Sequence, residues 1–208
     1  MAKKLSKKAL LKRRRRRKRI ITAIVIFMII LLACAAGLWY MSDARVMTDR
    51  SDPVATVLMK DGGKLVIELF PKNAPESVGA FIDLANEGFY DGLAFEASSP
   101  LLLVEGGALP YTVKGEFADN GIVNPVSHSR GAIGLSRRTA YDSAEGGFYL
   151  LTEDAPYLNG SNAAFGRVIK GMEYADKIAD GALSPVIGSI RVNTKGIVYE
   201  YEKIQREY

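Results

Sequence analysis

Two side chains of this 208-residue sequence occur once each and are of a type that can carry chemistry: His128 and Cys34. An imidazole titrates near neutral pH and can pass protons. A nucleophilic triad also needs a hydroxyl or thiol and an orienting carboxylate held beside it, and His128 has no such Asp and Ser beside it. It is read as a structural residue. No group of His, Cys, Asp and Glu recurs at metal-ligand spacing, so no metal site is expected. Asp61-Gly62-Gly63 reads as a turn, because no Gly-x-Gly-x-x-Gly context follows it. Asp83, Glu87 and Asp91 flank the end of a predicted helix and read as solvated carboxylates. A single thiol excludes an internal disulfide framework. With 48% hydrophobic residues, 20 Gly and 8 Pro, the composition excludes a disordered or collagen-like chain.

The net charge of +5 conceals two opposite parts. Residues 1–19 hold 12 of the 28 cations and no acid, which leaves 16 cations against all 23 acids in the remainder, a net of −7. Directly after this basic segment, residues 20–41 run for 22 positions without a charged side chain. As a helix they would span roughly 33 Å, enough for a hydrocarbon core of about 30 Å. Trp39 and Tyr40 stand at the far end, where amphipathic rings favour the headgroup level. The cations at the near end keep the N-terminus in the cytoplasm, and the body is translocated. The basic run is therefore read as a topology signal, with no nucleic-acid partner. A cleaved signal peptide is disfavoured, since its apolar region is usually about 7–15 residues. The rival reading is a lipoprotein, because Leu31-Leu32-Ala33-Cys34 resembles a bacterial lipid-attachment box. Leu32 fits that box poorly and the apolar run continues past Cys34, so an uncleaved anchor is preferred. Both readings place the body outside the cytoplasm and tethered to a membrane. Residues 42–53 are a polar linker, and residues 54–208 form the folded domain.

Within that domain, residues 54–59 and 64–70 are β-rich runs joined by Lys60-Asp61-Gly62-Gly63, a hairpin signal. Asn73-Ala74-Pro75-Glu76 opens a helix with Pro near its first position and an acid in its first turn. Val78, Phe81, Ile82 and Ala85 give that helix one apolar face, and Gly88 can end it in a left-handed cap. Short strands are predicted at 93–96, 101–104, 132–135, 148–151 and 163–168. A second helix is predicted at 172–179, and alternating residues between 187 and 204 read as closing strands. The pattern is mainly β: a closed antiparallel barrel with two helical caps, preceded by one transmembrane helix.

The order of local phrases goes further. Lys64-Leu65-Val66-Ile67-Glu68-Leu69-Phe70-Pro71 is followed by Ala74-Pro75-Glu76-Ser77-Val78 and Phe81, then by Gly88-Phe89-Tyr90-Asp91-Gly92-Leu93 with Phe95. Glu105-Gly106-Gly107, Lys114-Gly115-Glu116-Phe117, His128-Ser129-Arg130-Gly131, Ser143-Ala144 with Phe148, and Phe165-Gly166-Arg167-Val168 through Met172 continue the series. Together these phrases, over residues 54 to about 178, resemble the cyclophilin family of peptidyl-prolyl isomerases. The resemblance implies an eight-stranded antiparallel barrel capped by two helices. It also implies rotation about X–Pro bonds without nucleophile, metal or cofactor, on proline-containing or unfolded polypeptides. An apolar pocket would hold the proline ring while an Arg donates to the prolyl nitrogen, and His128 falls in a phrase that is structural in the family.

The departures from the family pattern decide what is expected of the site. Where active relatives read Phe-His-Arg, this sequence reads Phe95-Glu96-Ala97, so Ala97 stands at the position of the catalytic Arg. Glu105 replaces a Gln before paired glycines, and Gly147 replaces a second Gln before Phe148 and Tyr149. Tyr157 replaces a larger groove aromatic, and Asn162 a His. The apolar side is better kept: Leu102 and Leu103 stand for a Phe and a Met, Tyr149 for a Phe, and Leu158 matches. The resemblance thus assigns substrate contact to Leu102, Leu103, Glu105, Phe148, Tyr149, Tyr157, Leu158 and Asn162, with no catalytic residue in place. Arg137 is the candidate substitute cation, in a loop that borders the groove in the family. Two functions are carried forward. One is an extracytoplasmic, membrane-tethered isomerase that assists folding, weak because Ala97 replaces the Arg. The other is a non-catalytic module that binds proline-containing segments as a scaffold or chaperone.

Overall fold

The computed structural model describes residues 52–183 and 185–206, together with Met28. The basic segment, the apolar stretch 20–41 with Cys34 and the linker as far as residue 51 lie outside the described residues. Among the described residues no helix is long and apolar enough to cross a membrane.

Alternation builds the first hairpin. β1 (Val54–Met59) and β2 (Lys64–Leu69) pair antiparallel, and Ala55, Val57, Met59, Leu65, Ile67 and Leu69 all turn to one buried face. Helix α1 (Pro75–Glu87) follows, with the predicted Val78, Phe81, Ile82 and Ala85 all buried. It ends at Gly88, whose φ of 83° is a left-handed value that costs a residue without Cβ nothing.

The remaining strands complete one eight-stranded sheet. They are β3 (Glu96–Ser98), β4 (Leu101–Val104), β6 (Ala132–Arg137), β7 (Ala144–Leu151), β8 (Ala164–Lys170) and β9 (Ile187–Asn193). The order is β3-β4-β7-β6-β8-β2-β1-β9, every pair antiparallel. The chain just before β3 returns to the start of β9, where Ala94 bridges Val186 and the Phe95 N–H donates to the Pro185 carbonyl at 2.9 Å. The curled sheet therefore closes on itself through these residues. Its interior holds an aromatic cluster in which Phe81 of α1 meets Tyr90, Phe148 and Phe165 at centroid distances of 5.5, 5.4 and 5.2 Å. Helix α2 (Met172–Ala179) packs against β2 and β3.

Two predicted strands fall elsewhere. Residues 93–95 are held by backbone bonds to residues 185–187, so β3 begins only at Glu96. The alternation after β9 does not make a continuous strand. Lys195 and Gly196, at φ 54° and 82°, turn the chain, and only Ile204–Gln205 (β10) regains pairing, with β5 (Tyr111–Thr112).

Two buried polar groups tie loops to this frame. Glu116 is 2% exposed, and its carboxylate accepts the Glu76 N–H at 3.0 Å, the Ser77 N–H at 2.8 Å and the Ser77 hydroxyl at 2.6 Å. Ala74 offers α1 no side-chain cap, so a distant carboxylate satisfies the first-turn donors instead. His128, also 2% exposed, bonds Asn159 and Tyr149 through its ring nitrogens.

Burial holds the His128 pKa below its ordinary 6.5, against the opposing hydrogen bond to Asn159. The native value lies below the unfolded one, so the unfolded chain binds more protons as pH falls past about 6.5. The stability contribution is full above that value and is lost as pH falls toward the native pKa. Burial raises the Glu116 carboxyl, which acts in the opposite sense, so a difference measurement isolates the histidine. Urea unfolding at about pH 7.5 and pH 5.5 should show wild type losing more stability than His128→Gln on acidification; parallel curves would contradict this assignment.

Candidate functional site

Residues paired across antiparallel strands share a face. Leu103 pairs with Tyr149, and Tyr149 pairs on its other side with Gly134; Leu101 pairs with Leu151. These residues lie on the outer face of β4, β7 and β6, opposite the aromatic core. Tyr149 and Leu151 are buried there with Ala132 and Ala155, and Leu101, Leu103 and Leu158 pack against them. Leu158 comes from the short 3-10 turn Pro156–Leu158, and Tyr157 in the same turn is 66% exposed at its edge. The result is an apolar strip on the outer face, in which the half-buried Leu103 and Leu158 pack against the buried Tyr149 ring, and this strip is the candidate groove. Gly134 makes the floor possible: a Cβ there would fall 2.2 Å from the Tyr149 hydroxyl, so only glycine lets the ring lie across the strand. Burial pushes the Tyr149 hydroxyl pKa far up, so the group stays neutral.

Three polar residues near the groove, Arg137, Arg138 and Asn162, are already committed. The Arg137 guanidinium donates to the Ser161 carbonyl through Nε at 3.0 Å and Nη2 at 2.8 Å, and to the Arg138 and Thr139 carbonyls through Nη1. It also lies over the rings of Phe117 and Tyr141, at 5.0 and 5.8 Å. This candidate substitute cation therefore holds two loops together with most of its donors. Arg138 pairs with Glu145 at 2.9 Å, and Arg206 meets the same carboxylate at 2.5 Å. Asn162 is half-buried, donating its N–H to the Leu158 carbonyl and receiving the Ser161 hydroxyl.

A cleft of about 180 Å³ opens beyond the end of β4, lined by Glu105, Ser136, Arg138, Glu145 and Gly147. A Cβ at Gly147 would fall 2.3 Å from the Ser136 hydroxyl oxygen, so a longer residue there requires Ser136 to move. A second cleft, of about 380 Å³, lies at the other end and is lined by Ala97, Leu101, Arg130, Thr152 and Asp176 among others. Arg130 and Asp176 form a paired ion bridge within it.

Of the residues assigned from sequence, the structure brings Leu103, Tyr149, Tyr157 and Leu158 together at the groove, with Asn162 beside them and Glu105 in the flanking cleft. Leu102 and Phe148 sit elsewhere. Both are fully buried on the inner face, because β4 and β7 alternate and each lies one residue from a groove residue. Ala97 pairs with Leu102, not Leu103. The neighbour that shares the groove face is Glu96, which pairs with Leu103 and is exposed. Sequence reasoning missed Glu96, Ala132, Gly134, Leu151 and Ala155. It also missed the contact of His128 with the floor, for which the one available signal was a tyrosine hydroxyl in an otherwise apolar wall. Among the described residues no group of three or more His, Cys, Asp and Glu is placed to hold a metal ion.

Comparison with known proteins agrees with this architecture. The family described as "Cyclophilin type peptidyl-prolyl cis-trans isomerase/CLD" matches residues 54–197. Peptidyl-prolyl cis-trans isomerase B of Bacillus subtilis is 36% identical over 132 residues, covering 60% of this chain and 89% of that protein. A peptidyl-prolyl cis-trans isomerase of Helicobacter pylori is 35% identical over 130 residues, or 57% of this chain and 76% of the relative. In three dimensions, the crystal structure of a Cryptosporidium parvum cyclophilin type peptidyl-prolyl cis-trans isomerase superposes with a TM-score of 0.57 at 19% identity. It covers 68% of this chain and 98% of that one. A curled eight-stranded sheet, matched over most of its length by the family's sequence pattern, makes this chain a member of the cyclophilin-type peptidyl-prolyl cis-trans isomerases.

Proposed function

We propose that this chain is a membrane-tethered peptidyl-prolyl cis-trans isomerase of low turnover, acting outside the cytoplasm on proline-containing segments of unfolded polypeptides. The observation that carries the reading is the candidate groove, where Leu103 and Leu158 pack against Tyr149 as an apolar strip on the outside of the sheet. Rotation about an X–Pro bond faces a barrier of about 18–20 kcal/mol and takes on the order of 10–100 s unaided. A protein lowers it by holding the ring in an apolar recess and by aiming donors at the twisted amide. A related Cryptosporidium parvum enzyme has been crystallised in the presence of the dipeptide Ala-Pro, which supports a proline-bearing ligand class for this groove.

Low turnover follows from the donors. Tyr149 bonds His128, Arg137 bonds carbonyl oxygens, and Ala97 contributes none. One preorganised donor is typically worth about 10²–10³ in rate. The same observations favour a second reading: a non-catalytic module that holds proline-containing segments as a scaffold or chaperone. The tether is inferred from residues 1–41 alone, with 12 cations followed by 22 uncharged positions; an uncleaved anchor is preferred to lipidation at Cys34.

NMR exchange on X–Pro peptides separates the two readings: slow but measurable acceleration at high protein concentration is expected, and none at all leaves only the binding module. The β3–β4 register sharpens the test. Glu96→Arg sets a guanidinium beside Leu103 and should raise the rate about tenfold or more, whereas Ala97→Arg, paired with Leu102 and opening to the cleft of Arg130 and Asp176, should not. The reverse outcome would overturn the facing described above. For the tether, alkaline carbonate should leave the full chain in the membrane pellet, and an intact mass should lack an acyl group; extraction into the supernatant would refute the anchor.

A further inference from the structure

All four polar atoms of His128 are bonded, and their partners divide in an informative way. Its backbone N–H donates to the Asn159 Oδ1 at 2.8 Å, and its carbonyl accepts the Ala155 N–H at 2.8 Å. Nδ1 lies 3.0 Å from the same Asn159 Oδ1, and Nε2 lies 2.7 Å from the Tyr149 hydroxyl. Three bonds go to the loop that carries Tyr157 and Leu158, and the fourth goes to the groove floor.

The tautomer follows from the partners. A backbone N–H only donates, so the Asn159 atom facing it is the amide oxygen, which only accepts. The proton must then sit on Nδ1, leaving Nε2 as acceptor and the Tyr149 O–H as donor. A buried hydroxyl without such a partner would carry a desolvation cost, so the tyrosine at this position depends on that acceptor. The ring is confined as well: it crosses Gly134, where no Cβ could stand, and lies nearly parallel to the imidazole at 25° with centroids 5.9 Å apart.

We infer that His128 is a positioning residue for the proline groove: it locks the Tyr149 ring as the floor and joins that floor to the Tyr157–Leu158 rim as one rigid unit. The inference rests on the reading of the groove as the proline site. It assigns a binding role to a histidine that a purely structural account would treat as a satisfied core side chain.

The test uses the full chain in detergent micelles, with labelled leucine methyl groups and ¹⁵N-labelled histidine. The probe is the peptide acetyl-Ala-Ala-Pro-Phe-amide. The ¹⁵N shifts should report the neutral Nδ1–H form, and the peptide should move the Leu103 and Leu158 methyl resonances. Tyr149→Phe, which keeps the ring and the fold, should shift the Leu158 methyls of the free protein and weaken peptide binding about fivefold. His128→Gln should do the same, and the double variant should bind no worse than either single one, as expected of groups acting as a unit. Wild-type affinity in Tyr149→Phe, or an Nε2–H tautomer, would overturn the positioning role while leaving the groove intact. A peptide that leaves Leu103 and Leu158 unmoved in the wild type would instead refute the groove itself. If His128→Gln does not fold, Tyr149→Phe alone decides the matter.

Discussion

Successive side chains of a β-strand point to opposite faces, and in β7 this alternation separates Phe148 from Tyr149. Phe148 enters the aromatic cluster around Phe81, which a shift by one residue would break. Tyr149 is therefore turned outward with no freedom in the matter. Pairing passes the same division to both neighbours: Leu103 and Gly134 lie outside with Tyr149, and Leu135 and Val104 inside with Phe148. The groove is thus a by-product of the core. The packing that stabilises the barrel also fixes which residues a ligand can meet, so a site on the sheet holds its shape better than one made by loops alone.

What the sheet does not supply comes from loops, and these are held through buried or half-buried polar groups. Glu116 caps α1 from 39 or more residues away in sequence and so fixes the loop that precedes the groove's flank. Arg137 fastens the segment after β6 to the Ser161 carbonyl, and His128 fastens the rim to the floor. The C-terminal segment adds a brace, with Lys203 bonded to Asp83 of α1, β10 paired to β5, and Arg206 on Glu145 of β7. These groups use their donors on the protein itself. On the proposed reading, such a site holds an apolar ring and has few donors left to polarise an amide.

Much of the fold was legible from local pattern. The first hairpin, the helix opened by Pro75 and closed by Gly88, and the helix at 172–179 follow from alternation, 3.6-residue periodicity and end signals, all local properties. The site was legible only in part. Family order groups Leu102 and Phe148 with Leu103, Tyr149 and Leu158, although only the last three share the outer cluster, because adjacency in sequence does not reveal which side of the pleat a residue takes. Ala97 and Glu96 differ in the same way: the β3–β4 register decides which one shares a face with Leu103, and register is a tertiary property. His128 reads as structural for want of a neighbouring Asp and Ser, and its link to Tyr149 is hidden in the sequence because its partners, Asn159 and Tyr149, are 31 and 21 residues away.

The central claim is that the proline ring is held on the outer face of β4, β7 and β6, between two charged clefts and not within either. Intermolecular nuclear Overhauser effects from the ring protons of a bound X–Pro peptide test it directly. The account predicts contacts to the methyl groups of Leu103 and Leu158 and to the ring of Tyr149. Contacts instead to the cleft of Arg138 and Glu145, or to that of Ala97, Arg130 and Asp176, would contradict it.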